Sequence, residues 1–464
     1  MARRVKATLG AAALVCLAGS LGRGEVGANA AQATAPAAAG KAAKDTDMLT
    51  REAIERRIEQ HRTAEAEVTV LGPDGQPLAG ARVTVRQTRH KFLFGCNAFG
   101  INTGDESARQ KAYQERFAAL LNFGTLPFYW GVFEREEGKP DHARVAMMAA
   151  WCRERGIRTK GHPLMWHTVF PGWMMERPLE EVRLRQMGRI RRDVAPYVGT
   201  IDLFDVVNEG VVLPGYTATP SRLPELAREA GRVALIKEAF DAARSANPEA
   251  VLVLNDYDTS EKYVELIREC LDAGVGIDAI GIQSHMHGGY WGDERTWEVC
   301  EQFAQFGKPL HFTEVTLISG PKKENQKWHG RYDDWHTTPE HEQTQAANVA
   351  SFYTVLFSHP SVEAITWWDF QDGQWLGAPA GLVREDMAPK PAYERLMGLV
   401  KGAWWTGEAT LRTDAAGRAT FRGFLGDYTA EGDAGTGAFA LEEAGKVGVV
   451  VRLGERAREA GGAG

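Results

Sequence analysis

The chain has 464 residues, 44% apolar and 25% charged, the balance of a globular enzyme. Its net charge of −7 argues against a nucleic-acid binder, which carries a basic face. The length admits one large barrel-type domain with room for an accessory module.

In chain order, the first feature is an export signal over residues 1–30. Arg3, Arg4 and Lys6 form a positive end, an apolar stretch follows over 7–21, and Ala28-Asn29-Ala30 offers a small-x-small cleavage site. The apolar stretch is too short to span a bilayer, and Val15 before Cys16 speaks against lipid attachment. The expectation is a secreted or periplasmic protein with no membrane association once the signal is removed. Residues 31–47 read as an Ala-rich disordered spacer. Four cysteines remain after export: Cys96, Cys152, Cys270 and Cys300. Three pairings are open; Cys270 with Cys300 joins consecutive predicted helices, and four buried free thiols are an equal alternative.

Residues 48–90 form an N-terminal flank of a helix and a β-hairpin. Alternation on either side of Gly72-Pro-Asp-Gly75 predicts the hairpin over 67–86. Eight short β-type runs follow, at 92–97, 124–129, 158–164, 203–208, 251–255, 279–283, 310–313 and 364–368. Amphipathic segments such as 143–155, 226–246 and 260–273 separate them. Strand alternating with helix eight times predicts an α/β fold, a (β/α)₈ TIM barrel over 91–402. The C-terminal flank, 403–464, returns to β texture at 408–412, 418–424 and 446–453 around Thr413-Asp-Ala-Ala-Gly417. Neither flank alone has enough face to bury, so the two are expected to pair into one small β-sandwich, a structural clamp rather than a sugar-binding module.

Two of the barrel runs end in a glutamate. Asp205-Val-Val-Asn-Glu209 closes the fourth strand and His311-Phe-Thr-Glu314 the seventh, 314 − 209 = 105 residues later. A parallel barrel gathers its strand ends on one face, and two carboxylates facing one bond are the equipment for glycoside cleavage. Gly161-His-Pro-Leu-Met-Trp-His167 ends the third strand, Gly281-Ile-Gln-Ser-His-Met-His287 the sixth, and Trp367-Trp368 the eighth, with Trp375 in the loop beyond.

In motif content and order, residues 92–400 resemble glycoside hydrolase family 10, the retaining endo-β-1,4-xylanases. The resemblance implies that Glu209 is the acid/base and Glu314 the nucleophile. It implies that Asn208 contacts the sugar 2-hydroxyl, that Gln283 and His285 flank the nucleophile, and that His162 and Trp166 line the sugar-binding floor. Trp367 and Trp375 would wall the ring under attack. A polysaccharide or oligosaccharide substrate, no cofactor, no metal, no nucleic-acid partner and a monomer complete the expectation. His167 reads at least equally as core, and Asn255-Asp256 after the fifth strand resembles the family's pattern and reads equally as a helix cap.

Some family positions depart. Aligned on Trp130, Leu126 and Tyr129 stand where the family carries a sugar-binding Asn and Lys. Val169 replaces a Gln, and Thr316 replaces the Asp that partners His285. Polar losses of this kind weaken sugar recognition more than glycosidic chemistry. The alternatives are a retaining glycosidase on another or decorated β-glycan and a non-catalytic carbohydrate-binding barrel. A metal-dependent hydrolase, prompted by His285-x-His287, is a third.

Overall fold

The computed structural model describes residues 47–454. The expected export signal, with Cys16, and all but the last residue of the Ala-rich spacer lie outside these residues.

A helix, Arg51–Arg62, leads into strand β1 (Thr63–Leu71), and β2 (Arg82–His90) follows. Eight parallel strands then form the barrel: β3 (Leu93–Asn97), β4 (Phe123–Pro127), β5 (Arg158–His162), β6 (Leu203–Asn208), β7 (Val251–Asp256), β8 (Ala279–Ile282), β10 (Leu310–Leu317) and β11 (Val362–Trp367). A two-residue strand, β9 (His285–Met286), lies between β8 and β10 and extends the ladder of β10. Pairing of β11 with both β10 and β3 closes the barrel. Each predicted run coincides with one of these eight strands, and buried parallel strands do read as short apolar runs. The predicted helix over 226–246 is two helices, Leu223–Ala230 and Arg232–Ala246, divided at Gly231 with φ 87°.

The barrel interior is layered. Leu93, Phe123, Leu203, Val253, Ala279 and Ala364 form an apolar plug. The buried polar side chains Thr125, Lys160, Asp205, Asn255, His311 and Thr313 come from the barrel strands β4, β5, β6, β7 and β10. Arg62 ties the N-terminal helix to the barrel, its guanidinium donating to the carbonyls of Phe357, His359 and Val362.

The flanks build a β-sandwich from β1, β2 and five C-terminal strands: β12 (Ala409–Arg412), β13 (Arg418–Phe424), β14 (Gly426–Gly432), β15 (Gly435–Leu441) and β16 (Gly445–Arg452). One sheet has the order β13-β1-β16 and the other β12-β2-β14-β15. Ala66, Val68, Val83, Val85, Tyr428 and Val451 pack between them in one core. The expected hairpin over 67–86 is corrected. The Pro-Asp-Gly turn forms, with the Gly75 amide bonded to the Gly72 carbonyl, but β1 and β2 lie in different sheets. The chain folds back only as far as Leu78, whose amide donates to the Val70 carbonyl; beyond that both edges of β1 are occupied, by β13 antiparallel and β16 parallel, and the chain crosses to the other sheet. The C-terminal flank crosses likewise between β12 and β13, and its hairpin is β14–β15, which the sequence reading passed over.

All four described cysteines are buried and unpaired, Cys270 and Cys300 included. Burial pushes each thiol up, Cys152 and Cys270 to about 12.

Candidate active site

The two glutamates meet at the C-terminal ends of β6 and β10. Glu209 follows directly on Asn208, the last residue of β6, and there the backbone turns left-handed, with φ 58°. A non-glycine residue seldom adopts that conformation, and where it persists the surroundings hold it. Here the Glu209 amide donates to the Asn255 carbonyl, 2.8 Å away. Glu314 sits inside β10, which runs three residues farther.

A network of amides joins the two carboxyls. Asn255 Nδ2 donates to Glu314 Oε1 at 2.9 Å and to Asn208 Oδ1 at 2.7 Å. Asn208 Nδ2 and Gln283 Nε2 each lie 3.3 Å from Glu209 Oε1, and Gln283 also donates to Asn208 Oδ1. Asn255 Oδ1 accepts from Thr313 Oγ1 at 2.6 Å, which fixes the side-chain amide's orientation. Gly281 makes room for it, because a Cβ there would stand 2.5 Å from Asn255 Oδ1. Asn255 is therefore part of the site and not a helix cap.

Beside Glu314 lies a buried cluster of ionisable side chains. His162 Nδ1 is 2.7 Å from Asp205 Oδ2, its Nε2 is 3.9 Å from Glu314 Oε1, and Lys160 Nζ is 2.6 Å from the same Asp205 oxygen. His285 Nε2 stands 3.2 Å from Glu314 Oε2, and its Nδ1 meets Thr316 Oγ1 at 3.3 Å, a hydroxyl where the family has a carboxylate.

These surroundings drive the two carboxyls apart in protonation. Burial, with the charges of Asp256 and Glu314, raises Glu209 to about 8; the Trp166 indole and Gln283, on the donor side, only partly oppose it. Burial would raise Glu314 too, but His162, the His285 hydrogen bond and Lys160 together hold it below the ordinary carboxylate value. One carboxyl thus keeps a proton near neutrality while the other is an anion, the division that an acid and a nucleophile require. The Glu209 side chain is 15% exposed and that of Glu314 6%, so Glu209 lies nearer the solvent.

The other sequence candidates divide. Trp166 lies beside Tyr129, with ring centroids 5.6 Å apart, and Trp375 packs on His285 at 4.4 Å. Trp367 is not brought into the group: it is fully buried and its indole donates to the Ala380 carbonyl. Its neighbour Trp368 faces the site, 5.2 Å from His162 and 6.2 Å from His285. His167 lies with Nε2 3.4 Å from Glu209 Oε2, and burial lowers it to about 4, so a neutral imidazole faces the Glu209 carboxyl. Lys160, a lone lysine in a strand, was the other available signal.

The two departures on β4 and its loop behave differently. Tyr129 lies against His162 at 5.3 Å, and its phenol senses the charges of both glutamates. Leu126 is fully buried in the apolar layer outside the strands, among residues such as Phe128 and Trp130, and does not line the cleft. Leu126→Asn therefore buries an unpaired amide and is expected to cost about 1–3 kcal/mol of stability, seen as a lower denaturation midpoint. An unchanged midpoint together with tighter sugar binding would place the side chain in the cleft after all. Val169, in the third departure, adopts φ 52°, and its carbonyl accepts the Gly131 amide at 2.7 Å.

Among the described residues no group of three or more His, Cys, Asp or Glu is placed to hold a metal ion. His287, the second histidine of His285-x-His287, instead meets Gln326 Nε2 at 2.7 Å through Nδ1.

Two buried carboxyls in opposite protonation states, at the mouth of a closed parallel barrel, define the glycoside hydrolase class. The chain belongs to glycosyl hydrolase family 10, whose model matches residues 87–399. Among relatives, it is 31% identical over 267 residues to endo-1,4-beta-xylanase B of Paenibacillus barcinonensis, covering 53% of this chain and 77% of that one. It is 28% identical over 273 residues to an endo-1,4-beta-xylanase/feruloyl esterase of Xylanibacter ruminicola, with 53% and 37% covered. It is also 26% identical over 389 residues to anti-sigma-I factor RsgI6 of Acetivibrio thermocellus, with 80% and 45% covered. The chain thus spans less than half the length of several of the curated relatives it matches. The solved structure of xylanase 10B from Thermotoga petrophila RKU-1 with xylobiose shares the fold, with a TM-score of 0.57, 23% identity, and 68% of this chain and 95% of that one covered.

Proposed function

We propose that this protein is a secreted retaining hydrolase that cleaves β-1,4-xylosidic bonds of xylan-type polysaccharide by double displacement. The observation that carries the reading is the pairing of a protonated Glu209 with an ionised Glu314 across the Asn208–Asn255 amides. Glu314 attacks the anomeric carbon while Glu209 passes its proton to the departing glycosidic oxygen, which leaves a glycosyl ester on Glu314. Glu209, now an anion, then takes a proton from water, which displaces the ester and returns the β configuration. Asn208, anchored by Asn255 and Gln283, offers its amide to the 2-hydroxyl. His285 orients the Glu314 carboxylate, and Trp166, Trp368 and Trp375 supply flat faces for the sugar.

Secretion rests on the N-terminal sequence; among the described residues no helix is long and apolar enough to cross a membrane. The protein acts as a monomer, without cofactor, metal or nucleic acid. Tyr129 favours a second reading of the substrate. An aromatic ring in place of an ammonium discriminates weakly among sugars, because apolar contacts separate close analogues by only about 1–3 kcal/mol. Substituted xylans are then accepted beside the plain polymer.

Reducing-sugar release from xylan, arabinoxylan, mixed-linkage glucan and aryl β-glycosides tests both readings. Release is expected from the first two, with β product first in the proton NMR of the early hydrolysate. No release from either xylan overturns the substrate, and α product first overturns double displacement.

A further inference from the structure

The connection from β10 to the helix Pro339–Ser358 runs over residues 318–338. Structureless connections of such length in a compact domain usually serve a function. This one carries Trp328, a large apolar side chain that is 52% exposed. The Trp328 ring lies nearly parallel to His287, at 5.1 Å and 30°. It stands 5.7 Å from Trp375 at 31°, and 6.4 Å from His285, the residue that holds the nucleophile. Burial lowers His287 to about 3, so the ring backing Trp328 is a neutral aromatic.

The loop is fastened to the segment that bears Trp375. The Tyr332 amide donates to the Leu376 carbonyl and Arg331 Nη1 to the Gly373 carbonyl, each at 2.8 Å. A Cβ on Gly377 would meet the Tyr332 carbonyl oxygen at 2.6 Å, so only glycine allows that approach. Within the loop, the Lys327 amide donates to Tyr332 Oη at 2.7 Å and the Trp335 indole to the Pro321 carbonyl at 2.8 Å. Trp328 and Trp375 are thus two adjacent platforms on one fixed mount. A ring backed on one side and open on the other loses little conformational freedom when a ligand stacks on it.

We propose that Trp328 is a further sugar-binding platform, which stacks on the β-linked sugar next to the ring walled by Trp375. Sugar rings present apolar C–H faces, and an exposed indole held in place is the complement to one. This assignment rests on the glycan-hydrolase reading above and adds a chain-length preference to it.

The test uses the full chain with W328A and W328F, on linear xylo-oligosaccharides of increasing length and on an aryl β-xyloside that fills only the ring site. W328A is expected to raise KM for the longer oligosaccharides about tenfold, with kcat within about twofold of the parent. W328F recovers most of the loss, and the aryl xyloside shows no change in KM. Equal KM values for parent and W328A on every chain length overturn the proposal. So does a loss on the aryl xyloside as large as that on the oligosaccharides, because that marks a structural role. Titration of Glu314→Gln with xylohexaose, followed by tryptophan emission, separates this proposal from the functional reading. Binding that weakens about tenfold when Trp328→Ala is added supports the platform whatever the parent's turnover, and binding that is indifferent to Trp328 overturns it.

Discussion

Glu314→Gln is expected to abolish turnover on every β-glycoside, by on the order of 10⁴-fold or more, as for the loss of a nucleophile that works as a unit with its neighbours. The substituted amide keeps the hydrogen bond from Asn255 and preserves the fold, so circular dichroism and melting should match the parent. Glu209→Ala separates the two roles. On xylan, whose leaving group needs a proton, it is expected to lose about 10²- to 10⁴-fold, the usual worth of a general acid. On aryl glycosides with good leaving groups, formation of the glycosyl ester stays fast and the ester accumulates. The pH profile follows the same division. Under the proposed roles, activity needs Glu209 protonated and Glu314 ionised. It is therefore lost as pH rises through about 8, where Glu209 gives up its proton, and as pH falls through the depressed value of Glu314. With Glu209→Ala the alkaline limb vanishes on activated substrates. Parent-level turnover by Glu314→Gln would remove Glu314 from the role of nucleophile.

Deleting the C-terminal strands is expected to lower the melting temperature by on the order of 10 °C and to reduce solubility. β1 and β2 each lie between C-terminal partners, so the deletion frees both edges of both strands. It also uncovers Val68, Val70, Val83 and Val85, all fully buried. Each buried valine contributes about 1.5 kcal/mol or more relative to exposure. The cut belongs after Gly407 and not at Lys401, because Trp404 stacks on Phe357 at 4.3 Å and is part of the barrel core. Barrel chemistry should survive in whatever stays folded. A truncated chain as soluble and heat-stable as the parent would show that the flanks do not depend on each other.

The barrel was legible in the sequence because its strands are buried on both faces, so that each appears as a short apolar run between polar segments. Of the expected glutamates, Glu209 directly follows one of them and Glu314 stands three residues inside the end of another. What escaped were features set by partners distant in the chain. Trp367 and Trp368 are adjacent, and successive strand residues face opposite sides, so nothing in a Trp-Trp pair says which one reaches the cleft. Leu126 illustrates the same ambiguity: a family alignment gives it a place in the motif, while the pleat turns it outward. The Pro-Asp-Gly turn was read correctly as a turn and wrongly as a hairpin, because the strands that occupy both edges of β1 come more than three hundred residues later. Asn255 and His167 looked like a cap and a core residue until the barrel brought Glu314 and Glu209 beside them.

The interleaving of the two flanks in the sandwich also governs the order in which the molecule is completed. β1 is made early in synthesis, yet both its neighbours, β13 and β16, belong to the last part of the chain. Pairings such as Glu67 with Thr420 form only after the whole barrel has been made. Contacts of such high sequence separation form slowly, because the loop must close before they reward it. During that interval the strand edges and apolar face of β1 stand open, a period of vulnerability to association between nascent chains. Once β16 docks beside β1, the two flanks of the barrel hold each other, and neither can come away without breaking a ladder to the other.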